Sequence, residues 1–261
     1  MVRPKKHLGQ HFLTDHSIAQ RIVNALEHEP GDTVLEIGPG TGILTGKLLE
    51  MDLNLRPVEI DPESCIHLIQ HWPQLDGKLI QDDFLKMDLG ILSTDSIRII
   101  GNFPYNISSQ IFFRVLEHRE KIPGVVCMIQ KEVAERIASG PGSKEYGILS
   151  VLLQAYYEID YLFSVKAGSF FPPPRVTSGV IRLRRNKIKK LSCDEKLFYR
   201  VVKSTFNQRR KMIRNSIRSI LLNLDSDFRL LSKRPEQLGI PEFVELTNWV
   251  ASQLDSGARV K

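Results

Sequence analysis

Cysteine is scarce in this chain. Cys65, Cys127 and Cys193 are the whole supply, odd in number and far apart. They make no CxxC pair and no His/Cys cluster, so neither a disulfide framework nor a zinc site organises the fold. Long apolar runs are missing as well. No stretch approaches the ~18–20 residues of a membrane span. The basic start MVRPKK is followed by HLGQHFLTDH, which lacks the apolar core of a signal peptide. The expectation is a cytoplasmic protein with no membrane segment and no metal. Low-complexity tracts and internal repeats are also lacking, and the 42% hydrophobic share is that of a globular protein. A length of 261 residues allows one large α/β domain, or a medium one with a small appendage.

Acidic residues are scarce in one place. From Arg182 to Arg218 there are fourteen Lys/Arg against two acids, Asp194 and Glu195. That window carries +12, which leaves −6 for the rest of a chain whose net charge is +6. A charge run can be no more than a solvated face. This one is one-signed and concentrated, which favours a polyanionic partner such as nucleic acid.

Hydrophobic periodicity alternates between two patterns. DHSIAQRIVNALEH predicts an amphipathic helix with Asp15 as N-cap. DTVLEIG predicts a strand, GILTGKLLEM a helix, LRPVEID a strand, PESCIHLIQHW a helix with Pro62 in its first turn, and GKLIQDD a strand. SIRIIGN and GVVCMIQ are further strands around the helix SSQIFFRVLEH. KEVAERIAS is a helix, and YGILSVLLQAYYEIDYLFSV a helix running into a strand. SGVIRLRR is a last strand, open to antiparallel pairing. Such alternation implies a mostly parallel sheet covered on both faces. After RRNKIKK only helical patterns follow, in DEKLFYRVVKSTFNQRRKMIRNSIRSILL, RPEQLG and PEFVELTNWVASQL. The expected boundary is at residue 186, with domains over 1–186 and 187–261.

LEIGPGTG places Gly38, Gly40 and Gly42 between a strand and a helix. Glycines there allow a tight turn and close approach of backbone to a ligand. The spacing is G-x-G-x-G, and alone it is equally a plain βα turn. Acids sharpen it. Glu36 precedes the loop, and Glu59 ends the next strand 21 residues after Gly38, where a carboxylate can accept both hydroxyls of a ribose. Asp82 ends the third strand and Asn102 the fourth. Singly these are ordinary turn residues. Together, at successive strand ends, they point to a nucleoside-containing cofactor.

The stretch GNFPYN is an odd way to end a buried strand. As plain structure, Asn and Pro form a turn and Tyr packs. As chemistry, it suits a planar amine. The exocyclic amine of adenine is neutral and weakly nucleophilic, because its lone pair is delocalised. Two hydrogen-bond acceptors for its hydrogens draw the nitrogen towards tetrahedral geometry and stabilise the charge developing on it. The Asn102 side chain and the Phe103 carbonyl can be those acceptors, with Pro104 holding the carbonyl and Tyr105 stacking on the base.

With these residues in place, the sequence resembles the ribosomal RNA adenine dimethyltransferase family, whose bacterial members modify two adjacent adenosines near the 3′ end of small-subunit RNA. The resemblance runs from about Pro4 to beyond Ile217. It is carried by LGQHFL, LEIGPGTG, VEID, QDD, GNFPYNIS, QKEVAERI, FFPPPRVTS and FNQRRKMIRNS in that order. It implies a Rossmann-like class I methyltransferase with a mostly parallel seven-stranded sheet, helices on both faces and a small all-α C-terminal domain. It implies S-adenosyl-L-methionine as cofactor. His11 and Leu13 would contact its methionine part, Gly38 and Gly40 line its loop, Glu59 take the ribose and Asp82 the adenine, with Asn102 also at the cofactor. Asn102, Phe103, Pro104 and Tyr105 would hold the target base, with Phe170 as a second aromatic against it. Lys5, Lys6, Arg209, Arg210, Lys211 and Arg214 would grip RNA phosphates, the NQRRK group from a helix. The implied partner is small-subunit ribosomal RNA in a pre-ribosomal particle, met by a monomer. His11 stands where bacterial members often have Asn, and Phe103 where Leu is common. A large-subunit RNA methyltransferase of the macrolide-resistance type and an assembly checkpoint acting mainly by RNA binding are the alternatives. DNA adenine methylation shares the N-x-P-Y logic and fits the family less well.

Overall fold

A computed structural model describes residues 2–92, 96–221 and 227–255. In chain order the strands are β1 (Phe12–Leu13), β2 (Thr33–Ile37), β3 (Asn54–Glu59), β4 (Ile80–Gln81), β5 (Arg98–Asn102), β6 (Gly124–Gln130), β7 (Tyr157–Val165), β8 (Phe170–Phe171) and β9 (Ser178–Arg185). The α-helices are α1 (His16–Asn24), α2 (Ile43–Leu48), α3 (Pro62–His71), α4 (Ser108–Glu117), α5 (Lys131–Ala138), α6 (Ile148–Gln154), α7 (Glu195–Asn207), α8 (Ile213–Ser216) and α9 (Ile240–Asp255). The chain divides into two compact units, one of Met1–Glu135 with Glu158–Arg185, the other of Arg136–Tyr157 with Asn186–Lys261.

The first unit is built on a seven-stranded sheet in the order β4-β3-β2-β5-β6-β9-β7. β2 pairs in parallel with β3 and β5, β3 with β4, and β5 with β6. β9 pairs antiparallel with β6, as its place at the end of the alternating pattern allowed. The chain builds outward from β2 through β3 to β4, then returns to lay β5 on the other side of β2. Right-handed crossovers in opposite directions place helices on both faces. Every residue of β2 is buried, including Glu36, as a strand covered on both faces requires. The switch in strand order between β2 and β5 puts a crevice at the carboxyl ends of these strands, where open α/β sheets take their ligands. Local signals hold here. Asp15 accepts N–H bonds from Ser17 and Ile18 to cap α1, and Asp61 accepts from Glu63 to start α3 ahead of Pro62. The two-residue strands β1 and β8, absent from the periodicity, pair antiparallel with Phe12 opposite Phe171 and Leu13 opposite Phe170.

The second unit is helical, and it holds more than the expected C-terminal segment. Arg136–Tyr157 belongs to it. Tyr146 packs edge-on against Phe206 at 5.9 Å, and Gly142 N–H donates to the Glu236 carbonyl at 2.6 Å. α7 starts at an Asp194 cap and buries Leu197, Phe198, Val201, Val202, Thr205 and Phe206. The expected continuous helix through NQRRK does not form. α7 ends at Asn207, and residues 208–211 are a turn and bend before the four-residue α8. The buried stripe stops at Phe206, and four long polar side chains give another helical turn nothing to pack. The last residue of that expected helix, Leu222, lies outside the described residues.

Candidate active site

The glycine loop leaves β2 at Ile37. Gly38 N–H donates to the Val58 carbonyl at 2.9 Å, which holds the loop against β3. Gly38 and Gly40 have φ of 65° and 56°. A side chain on Gly40 would meet the Phe12 ring at 2.8 Å, whereas one on Gly38 would point into open space. Both glycines line a cleft of about 190 Å³ that also takes in Glu59, Asp82, Asn102 and Tyr105. The strand-end residues singled out in the sequence are therefore brought to one place.

Glu59 is 4% exposed. Its Oε2 accepts the Gly40 N–H at 3.0 Å and its Oε1 the Asp61 N–H at 2.9 Å. Each oxygen keeps a lone pair for a hydroxyl donor, which suits the two hydroxyls of a ribose. Burial, aided by the charge of Asp61, raises the Glu59 pKa despite N–H donors from Asp61, Gly40 and Ile60. Behind it, Glu36 is fully enclosed, accepts the Thr45 hydroxyl at 2.7 Å and has its pKa pushed up to about 8, chiefly by burial. Asp82 is exposed at the cleft, with Oδ1 taking the Asp83 N–H at 2.7 Å and Oδ2 left for an amine. Between the two acids Ile60 shows 49% of its surface while lining the same cleft, a flat apolar contact for a base. The sequence reading missed Ile60. Strand alternation carried one residue beyond Glu59 would have marked it as facing away from the core.

At the other side of the cleft, the Asn102 amide donates from Nδ2 to the His11 carbonyl at 2.8 Å. That bond orients the amide and leaves Oδ1 as a pure acceptor. The Phe103 N–H donates to Met128 O at 3.0 Å, and no donor among the described residues takes the Phe103 carbonyl. The Phe103 ring is 1% exposed and packs edge-on against Phe112 at 6.0 Å, so the extra bulk of this residue goes to the core. Pro104 lines the cleft beside it. Tyr105 is held at both ends. Its hydroxyl bonds Ser178 Oγ at 2.6 Å, and its ring stacks on His11 with centroids 5.7 Å apart. His11 Nδ1 donates to the Pro172 carbonyl at 2.8 Å, so the His11 side chain is committed to protein partners.

Leu13 and Phe170 are not at the cleft. They face each other across the β1–β8 ladder and bury their side chains in the core, at 3% and 4% exposure. Directly opposed residues of an antiparallel pair share one face, and the neighbouring pair shares the other. Phe12 lines the cleft and its ladder partner Phe171 is 57% exposed, but neither ring of the FF pair lines the cleft itself. Two of the basic residues expected at RNA are also committed elsewhere. The Lys5 ammonium pairs with the fully buried Asp61, and Arg209 Nη2 donates to the Ser143 carbonyl at 3.0 Å. Lys6, Arg210, Lys211 and Arg214 are exposed, with no ion pair among the described residues. No group of three His, Cys, Asp or Glu among the described residues could hold a metal ion, and no described helix is long and apolar enough to cross a membrane.

A glycine loop at a switch in a parallel sheet, a carboxylate able to take a ribose at the end of the next strand and another acid at the end of the next but one fit S-adenosylmethionine. They define a class I methyltransferase that uses this cofactor. The chain belongs to the ribosomal RNA adenine dimethylase family, whose model matches residues 1–234. It is 55% identical over 249 residues to ribosomal RNA small subunit methyltransferase A of Parabacteroides distasonis, covering 95% of this chain and 94% of that protein. Its fold matches a dimethyladenosine transferase from Plasmodium falciparum, with a TM-score of 0.79 at 23% identity over 95% of this chain and 99% of that one. The 23S rRNA methyltransferase ErmE superposes with a TM-score of 0.68 at 25% identity, over 91% and 99% of the two chains.

Proposed function

We propose that the protein dimethylates the exocyclic amines of two adjacent adenosines in a hairpin loop near the 3′ end of small-subunit (16S) ribosomal RNA. It acts as a monomer on a pre-ribosomal particle in the cytoplasm and serves small-subunit biogenesis. The small-subunit name of the Parabacteroides relative supports this target over large-subunit RNA. The observation that carries the chemistry is the Asn102 amide, turned by its bond to the His11 carbonyl so that Oδ1 is offered as an acceptor beside the uncommitted Phe103 carbonyl.

S-adenosylmethionine, when bound, supplies an electrophilic methyl group. Glu59 accepts the ribose hydroxyls, Asp82 the adenine amine, and Ile60 packs on the adenine face. Asn102 Oδ1 and the Phe103 carbonyl take the two hydrogens of the target amine and stabilise the charge that grows there. A strong base is unnecessary, because the proton leaves only after that charge has developed. Tyr105, fixed at ring and hydroxyl, sets the plane of the target base. Phe170 is the second aromatic of the base pocket, supporting it from its buried place on the β1–β8 ladder. Lys6, Arg210, Lys211 and Arg214 neutralise RNA phosphates.

Mass spectrometry of ribosomal RNA after incubation with isotope-labelled S-adenosylmethionine tests the reading. Two neighbouring dimethyladenosines near the 3′ end of small-subunit RNA are expected. Methylation confined to large-subunit RNA, or tight RNA binding with no methyl transfer, would overturn it.

A further inference from the structure

Asp61 is an acid that no step above uses, yet its side chain is 0% exposed. Its Oδ1 takes the Lys5 ammonium and the Glu63 N–H, the latter at 3.2 Å. Its Oδ2 takes the Ser64 hydroxyl at 3.0 Å and the Gln10 amide at 3.3 Å. The other end of the Gln10 amide accepts the Lys5 backbone N–H at 2.8 Å. Residues 5–10 are thus closed into a small loop by Gln10 and pinned at two points to one carboxylate. Asp61 also donates its own N–H to Glu59 Oε1 at 2.9 Å. The same arm supplies residues 7–12 as a wall of the cleft.

Ser64 and Glu63 explain Asp61 as a helix cap. They do not explain why two residues of an N-terminal arm, more than fifty positions away, converge on it. Capping needs no cation. A cation here does something else: it fastens a cleft wall to the residue that orients the ribose acid. We infer that Lys5, Gln10 and Asp61 form a latch that holds the N-terminal arm closed over the cofactor cleft and sets how long S-adenosylmethionine stays bound. Lys5 and Gln10 are positioning residues that act through Asp61, and Lys5 is not an RNA contact. The inference rests on the cleft being the cofactor site. Loosening residues 5–10 removes that wall, while His11, whose carbonyl orients Asn102, stays held by its own bond to the Pro172 carbonyl and by the adjoining β1–β8 ladder. The effect therefore falls on cofactor release, as weakening a hydrogen-bonded charge pair at a binding site generally does.

The test compares Lys5→Met, Asp61→Asn and the double variant with the intact full-length protein. Cofactor dissociation is followed by stopped-flow displacement, and affinity by calorimetry with S-adenosylmethionine alone. Lys5→Met should raise the dissociation rate roughly tenfold, with association little changed and single-turnover methylation at saturating cofactor within about twofold. The double variant should release cofactor no faster than the more affected single variant, because the two residues act through one bond. The salt dependence of RNA binding should be that of the parent. Unchanged dissociation in Lys5→Met would overturn the latch, and so would additive effects in the double variant. A salt slope shallower by about one, with cofactor release unaltered, would return Lys5 to the RNA surface. Should Asp61→Asn fail to fold, Gln10→Leu replaces it and the same additivity decides. Failure of the parent protein to bind S-adenosylmethionine at all would sink the cofactor assignment itself, a different result from a latch that does not matter.

Discussion

Two basic stretches lie next to each other in the sequence and end differently. On β9, Arg182 reaches Asp160 at 2.9 Å and Glu27 at 3.1 Å, Arg184 reaches Asp160 at 3.2 Å and Glu27 at 3.4 Å, and Arg185 lies 3.8 Å from Glu120. From Lys187 to Arg218 there are eleven Lys/Arg, and none makes an ion pair among the described residues. The two acids of that stretch are used locally, Asp194 capping α7 and Glu195 accepting the Leu191 N–H. A strand inside a sheet brings acids of other segments beside its arginines. The outer face of α7 leaves Lys196, Arg200 and Lys203 exposed at helical spacing, Lys203 lying over the Tyr199 ring at 5.8 Å. Charges of the first kind hold the protein's own geometry. Charges of the second kind find no acid among the described residues, which suits the RNA partner proposed above. A count of charge along the sequence cannot separate the two.

Asn102 sits between these kinds, half satisfied by the chain and half offered outward, and it should show the largest effect. Asn102→Ala should lower single-turnover methylation a hundredfold or more, equivalent to ~2.7–4 kcal/mol for one preorganised acceptor. Affinities for cofactor and RNA should change little, and the residual product should be enriched in monomethyladenosine. A loss of RNA affinity as large as the loss of rate would place Asn102 with the binding charges instead. Replacing Arg210, Lys211 and Arg214 together with Gln should reverse the pattern. RNA binding should weaken by roughly tenfold or more at physiological salt, and the salt slope should become shallower by about two to three. Cofactor affinity, read by calorimetry, should hold.

On the paired side, Arg182→Gln should leave the salt slope alone and cost about 1 kcal/mol or less, because the network is partly exposed. That corresponds to a thermal midpoint lower by a few degrees at most. A change in slope without a change in midpoint would erase the distinction between the two stretches. The last effect, visible only as a pH dependence, belongs to Glu36. Its folded pKa of about 8 lies above the unfolded value near 4.5, so the folded state keeps a proton that the unfolded chain has released. Its contribution is complete below the unfolded pKa and fades as pH rises through 8. Glu36→Gln, which stays neutral, should therefore flatten the decline in thermal midpoint between about pH 5 and 8. An equally steep decline in the variant would show that Glu36 is ionised in the folded protein.

What could be read from the sequence follows from range. Glu59, Asp82 and Asn102 were legible because each ends a strand, and strand ends in an alternating fold gather at one crevice. The Asp15 cap was legible because its partners lie within three residues. The burial of Phe170 opposite Leu13 was not, since it depends on the register of a ladder between two distant segments, each too short to show a period. Lys5 looked like its neighbour Lys6 for the same reason, with its partner 56 residues away. The end of α7 could have been read, because the apolar stripe stops at Phe206. The membership of Arg136–Tyr157 in the helical unit could not, because a helical pattern does not say which core it joins.

The β1–β8 ladder also puts the protein on a clock. Phe12 and Leu13 pair with Phe171 and Phe170, and Thr14 N–H reaches the Ser169 carbonyl at 2.8 Å. Phe12 and Leu13 wait for partners that lie 159 and 157 residues further along the chain. Through that interval the growing chain holds the glycine loop and both strand-end acids but lacks the ladder that seats one wall of the cleft. Two pairs of residues must then close a loop of that length, and the loss of chain freedom is repaid only when the rest of the sheet is already in place. The β1–β8 pairing is thus expected to settle late, and a nascent chain that ends before Phe170 has the glycine loop and both acids without the strand that seats Phe12 and Leu13.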